Sequence, residues 1–137
     1  MAQYSSADVI VLVDNNAGAP QTFTAYVRAI GNISIEGIIQ EATVFGASWA
    51  TFVSTAIKKM APITLGGFYD TTAVEGPDVL FAGYAGSTTT RTVKITYGGG
   101  KYTEFEALVQ KYERMPKLGA MTEYQVTLQP TGTVTEA

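Results

Sequence analysis

Two alternating stretches separated by three glycines constrain this chain more than anything else in it. Residues 91–97 alternate, with Val93, Ile95 and Tyr97 on one face and Thr92, Lys94 and Thr96 on the other. Gly98, Gly99 and Gly100 follow, and glycine is the residue that tolerates the positive φ angles of a tight hairpin. The stretch 101–112 then returns with Phe105, Ala107 and Val109 on one face. After a turn at 116–119, residues 123–128 alternate again, with Tyr124, Val126 and Leu128 directed inward. Side chains that alternate this way fit a sheet with one buried and one wet face, so the last third reads as antiparallel strands.

The rest of the chain supports a β-rich fold. Residues 8–13 form a short apolar β-branched run, and the Asn, Gly and Pro that follow it are turn chemistry. Residues 21–30 and 32–36 alternate and read as two further strands, with Ile33 and Ile35 on one face. Residues 63–70 read as a strand in which Gly66 and Gly67 permit close approach or a bulge. The best helix candidate spans 75–82: Pro77 suits the first helical position, Asp78 the positive end of the dipole, and Gly83 or Gly86 the stop. The segment 45–60 is ambiguous. Trp49, Phe52, Val53, Ala56, Ile57 and Met60 have helical spacing, but Thr51, Val53, Thr55 and Ile57 are β-branched. The expectation is a long loop with at most a short helical turn near Trp49.

The 137 residues suit one domain, 1–137, and there is no internal repeat or linker. The expected fold class is mainly β: an antiparallel β-sandwich or partly open barrel with one short α-helix and the long loop. Residues 1–8 and 129–137 have too little apolar content to pack alone and read as extended arms. Residues 1–8 lack the basic and apolar segments of a secretory signal, and no apolar run approaches the roughly 20 residues of a spanning helix.

Composition weighs against catalysis. The chain has no cysteine and no histidine, which removes disulfides, thiolate metal sites, the commonest general base and the Ser–His and Cys–His pairs. No catalytic, cofactor-binding or metal-ligating set is expected, and the chain is not expected to be an enzyme. Gly98 to Gly100 lacks the strand–loop–helix context of a phosphate cradle. Glu104 and Glu106 share a strand face without a third ligand, and Asp70 and Asp78 suit a turn and a helix start. Of the nine basic residues, Arg91, Lys94, Lys101, Lys111, Arg114 and Lys117 cluster late, but Glu104, Glu106 and Glu113 neutralise them. With a net charge of −3, the chain is not built to grip nucleic acid.

Two features point outward. Trp49, with Phe45 and Phe52, is either a satellite cluster under the loop or an anchor against another subunit. Glu123, Gln125, Thr127 and Gln129 make an uninterrupted polar face without Lys or Arg. That suits either a plain wet surface or a wall past which phosphates slide without being held.

In order along the chain, Phe45-Gly46, Trp49, Ile57-Lys58 and Ile63-Thr-Leu-Gly-Gly-Phe-Tyr-Asp70 resemble the central stretch of the major tail tube proteins of long-tailed bacteriophages. Pro77-Asp-Val-Leu-Phe81 resembles the short helix that follows there, and Tyr102 to Tyr112 with Glu123-Tyr-Gln-Val-Thr-Leu-Gln-Pro-Thr-Gly132 the closing pair of strands. The resemblance runs from about Gly31 onward. It implies a virion subunit, made in the host cytoplasm, that forms hexameric rings stacked into a hollow tube. Its partners would be copies of itself, a tape-measure protein inside, and tail terminator and distal tail or baseplate proteins at the ends. DNA would transit without specific binding, and no membrane is involved. The lumen would be lined by Glu123, Gln125, Thr127 and Gln129 with Glu104 or Glu106. The long loop, with Phe45, Trp49, Phe52, Lys58 and Lys59, and the two chain ends would contact neighbouring rings. The alternatives are a ring protein of a bacterial secretion tube and a monomeric β-sandwich binding module.

Overall fold

A computed structural model describes residues 8–14, 20–71 and 76–137. Nine strands account for 58% of them, and seven of these strands curl into an antiparallel half-barrel. They are β1 (Ile10–Asp14), β2 (Pro20–Thr22), β3 (Ala29–Ile30), β6 (Ile63–Phe68), β7 (Thr90–Gly98), β8 (Lys101–Met115) and β9 (Glu123–Glu136), in the order β2-β1-β7-β8-β9-β6-β3. The remaining two, β4 (Ile35–Glu41) and β5 (Phe52–Met60), form a separate ribbon. Among the described residues the one α-helix is α1 (Pro77–Phe81), with Pro77 in its first turn.

The core lies on one face of the curled sheet. Val11 and Val13, Val93 and Ile95, Phe105, Ala107 and Val109, Tyr124, Val126 and Leu128, and Ile63 and Leu65 all point into it. Each is the alternate residue of its strand, and each buried Val, Ile, Leu or Phe among them contributes roughly 1.5–3 kcal/mol. Leu80 and Phe81 of α1 close the open side, where the Phe81 ring meets Phe23 edge-on at 5.5 Å. Arg91 is buried too. Its Nε donates to the Leu80 carbonyl at 3.0 Å, and its guanidinium lies 4.2 Å over the Tyr84 ring. It thereby serves a carbonyl at the end of so short a helix, where no later turn supplies a donor.

The late hairpin, the strand at 63–68, the helix and the inward residues of β7, β8 and β9 match their sequence patterns. Three expectations need correction. The stretch 21–30 is not one strand: a 3₁₀ turn at Thr24–Tyr26 interrupts it. Val11 N–H donates to Thr24 Oγ1 at 3.0 Å, so a hydroxyl replaces the carbonyl a continuing ladder would offer, and the chain turns. The stretch 45–60 is a loop only as far as Thr51. Phe52–Met60 is a strand paired with Ile35–Glu41, so the β-branched residues prevail over the helical spacing. The segment 129–137 is not a free arm. β9 continues through it to Glu136, pairing Glu104 with Thr135 and Thr103 with Glu136, and Ala137 N–H donates to the Tyr102 carbonyl at 3.1 Å. Of the amino-terminal arm, residues 1–7 lie outside the described residues.

Candidate assembly surfaces

Strand register brings the polar candidates together. Residues paired across adjacent strands share a sheet face. Gln125 is opposite Glu113 and Gly66, Thr127 opposite Lys111 and Thr64, and Gln129 opposite Leu108. Glu104 and Glu106 pair with Lys94 and Thr92 on the same side. All six candidates, Glu104, Glu106, Glu123, Gln125, Thr127 and Gln129, therefore occupy the face opposite the core. The alternation that buries Tyr124, Val126 and Leu128 forces this, since a one-residue slip would invert both faces.

That face carries more than one strand's sequence reveals. Lys94 and Lys111 also lie on it, so it is not free of positive charge. Both are held: Lys111 Nζ is 2.7 Å from Glu113, and Lys94 Nζ lies 4.2 Å over the Tyr102 ring. Thr90 donates to Glu106 at 2.9 Å, and the Thr92 hydroxyl donates to the other oxygen of the same carboxylate. Asp14 accepts the Thr92 N–H at 2.9 Å. Burial raises the Asp14 pKa, and that hydrogen bond and the Arg91 charge oppose the rise. Alternation along β7 already puts Lys94 beside Thr92, but Lys111 has the parity of the buried Val109 and reaches the polar face only through the bulge between them.

The ribbon is the second surface. Apart from Met60, every residue of β4 and β5 is exposed. Phe45 is 107% exposed, Trp49 86% and Phe52 61%, and Ile35, Ile38, Ile39, Val53 and Ile57 join them. Phe45 and Trp49 sit at the tip and Phe52 just below it. Lys58 and Lys59 instead lie at the stem, where Lys59 Nζ is 3.7 Å from Glu36, so the five contact candidates divide into two groups. Of the ribbon's isoleucines, Ile38 and Ile39 carry no signal in the sequence, because alternation there marks no buried face. Leu118 and Met121, exposed in the β8–β9 loop, also escaped notice.

Among the described residues no three His, Cys, Asp or Glu side chains converge as metal ligands. Two grooves, of about 540 and 530 Å³, are lined by no Ser–His, Cys–His or other nucleophile–base pair.

No family model matches the sequence, and no curated protein matches it. Solved structures do. A chain from the tail of an empty gene transfer agent particle, with C6 symmetry, superposes with a TM-score of 0.78 at 12% identity, over 99% of both chains. A chain of the SPP1 tail tube superposes with a TM-score of 0.67 at 12% identity, over 98% of this chain and 78% of that one. This chain has the tail tube fold. A chain of the anti-feeding prophage baseplate shares it, with a TM-score of 0.73 at 12% identity over 100% of this chain and 97% of the other.

Proposed function

We propose that the chain is the structural subunit of a phage tail tube, polymerising as stacked hexameric rings around a channel for DNA. The observation that carries this reading is the end-to-end likeness in fold to tail structures, one of them with C6 symmetry. The physical character of the two surfaces supports it. A ribbon exposing this much apolar area is a contact surface rather than a stable face in water. In a closed ring of curled sheets, the face opposite the core becomes the channel wall. Glu104, Glu106, Glu123, Gln125, Thr127 and Gln129 then line the lumen, Phe45, Trp49, Phe52, Lys58 and Lys59 contact neighbouring rings, and residues 129–137 lie at the boundary between rings. With Lys94 and Lys111 already engaged and carboxylates in excess, passing phosphates find no free counter-charge. The virion tail is the resulting location, with a tape-measure protein inside the tube and terminator and distal tail proteins at its ends.

The likeness to a baseplate chain favours one second reading, a ring protein of a bacterial secretion tube. A tape-measure gene beside this one separates the two, because only the phage tail needs it. The test of both against a monomeric module is direct. The purified chain should sediment as rings or tubes visible by electron microscopy. Monomer alone at millimolar concentration removes the tube reading.

A further inference from the structure

The tube reading leaves open what receives the apolar ribbon, and the molecule offers one complementary surface. Outside 35–57, the large apolar side chains exposed among the described residues are Ile10, Leu118 and Met121. Ile10 is only 46% exposed, whereas Leu118 is 106% exposed and Met121 65%. The last two belong to the β8–β9 loop, beside the groove of about 540 Å³ that Met115, Glu123 and Tyr124 help to line.

The ribbon tip and this loop are built alike. At the tip, Ala47 N–H donates to the Val44 carbonyl at 3.3 Å, and Gly46 has φ +84°. In the loop, Ala120 N–H donates to the Lys117 carbonyl at 3.3 Å, and Gly119 has φ +77°. Both are turns with glycine in the left-handed third position, and both present a large apolar residue at the second, Phe45 or Leu118. Neither brings an unpaired charge: 42–51 is uncharged, and Lys117 Nζ faces Glu123 at 3.8 Å.

Their placement decides how they can meet. The ribbon is rooted where Ile63 pairs with Leu128, and Gln129 Nε2 contacts the Met60 carbonyl there at 3.4 Å. The loop lies at the opposite end of the same strands, where Phe68 pairs with Glu123 and Tyr69 N–H donates to the Thr122 carbonyl. Five residues of strand, roughly 17 Å, separate these ends, and the seven-residue β4 carries the tip roughly 23 Å from its root. The ribbon's stem lies beside the carboxy-terminal end of β9, around Gly132 and Val134, rather than across the sheet toward the loop. The tip therefore does not meet the loop of its own subunit.

We propose that the ribbon tip of one copy, through Phe45 and Trp49, docks on Leu118, Met121 and the adjoining groove of a second copy. The contact is heterologous: each subunit carries one donor end and one acceptor end along its strand axis. Such contacts propagate or close into rings instead of stopping at a dimer. The inference rests on the tube reading and names the partner surface of the ribbon.

Two defective subunits test it. Phe45→Asp with Trp49→Asp spoils the donor, and Leu118→Asp with Met121→Asp spoils the acceptor. All four side chains are exposed, so circular dichroism should show both subunits folded. Each alone should fail to form tubes. Mixed, the acceptor-defective species still has a tip and the donor-defective species still has a receptor. One joint forms and extension stops, so the mixture should contain a particle of twice the mass of either component. As a second measurement, the cysteine-free chain accepts Ser48→Cys in one population and Ala120→Cys in another, and mild oxidation of mixed tubes should link the two. A mixture sedimenting as its components, or Ser48→Cys subunits linking to one another instead, overturns the proposal while wild-type tubes preserve the tube reading. Absence of polymer from the wild-type chain overturns both.

Discussion

The hydroxyl of Tyr124, near the start of β9, donates to the backbone carbonyl of Tyr26 at 2.6 Å. It pins the 3₁₀ turn against the sheet. Gly67 of β6 passes beneath the same carbonyl, so closely that a Cβ there would lie 2.0 Å from the oxygen. One strand supplies the hydrogen bond and its neighbour supplies the space. Tyr124→Phe should cost about 1–2 kcal/mol by leaving a buried carbonyl without its donor. Gly67→Ala should cost more, because backbone must move. Urea denaturation of the unpolymerised subunit measures both, and a Gly67→Ala midpoint equal to wild type would show the contact to be unimportant.

The same tyrosine makes the subunit sensitive to alkali. Burial raises the hydroxyl pKa of Tyr124, and of Tyr112, above the ordinary value of 10.0. The folded state keeps a proton that the unfolded chain gives up. The stabilisation is therefore complete below about pH 10 and declines as pH rises from there toward the folded pKa. For Tyr124, which is fully buried, the slope is about 1.4 kcal/mol per pH unit. Stability measured from pH 9 to 11.5 should fall less steeply in Tyr124→Phe than in wild type.

If the polar sheet face lines the channel, adding positive charge there should act on DNA and not on assembly. Gln125→Lys with Thr127→Lys introduces two ammonium groups beside Glu113 and Lys111. Tubes should form normally, and DNA ejection should slow, more so at low salt, where the charges are screened least. Unchanged ejection kinetics at low ionic strength would move these residues off the channel wall.

Removing residues 131–137 should now do more than shorten an arm. The segment pairs with β8 at Thr103 and Glu104, after a bulge at Gly132 with φ +76°. Without it, that part of β8 becomes an open edge, and exposed edges template irregular pairing. The truncated chain should retain its β-sheet circular dichroism and give amorphous aggregate instead of regular tubes. Ordinary tubes by microscopy would show that neither the edge nor the inter-ring boundary needs this segment.

The sequence by itself determined the half of the molecule that has an inside. In β7, β8 and β9, alternation marks a buried face, three glycines mark the hairpin, and Pro77 marks the start of α1. The polar face of β9 follows automatically from the burial of Tyr124, Val126 and Leu128. Only the tertiary structure decided the rest. Residues 35–59 have no inside within one subunit, so no period in their apolar residues could report a face. Their strand pairing depends on the meeting of two segments. Lys111 joins the polar face through a bulge in the pairing of β8 with β9, which the alternation of its own stretch does not encode. Leu118 stands at the acceptor end because β8 and β9 stop there together. Alternation records burial against the chain's own core, whereas surfaces meant for other copies leave no such record until the fold sets them side by side.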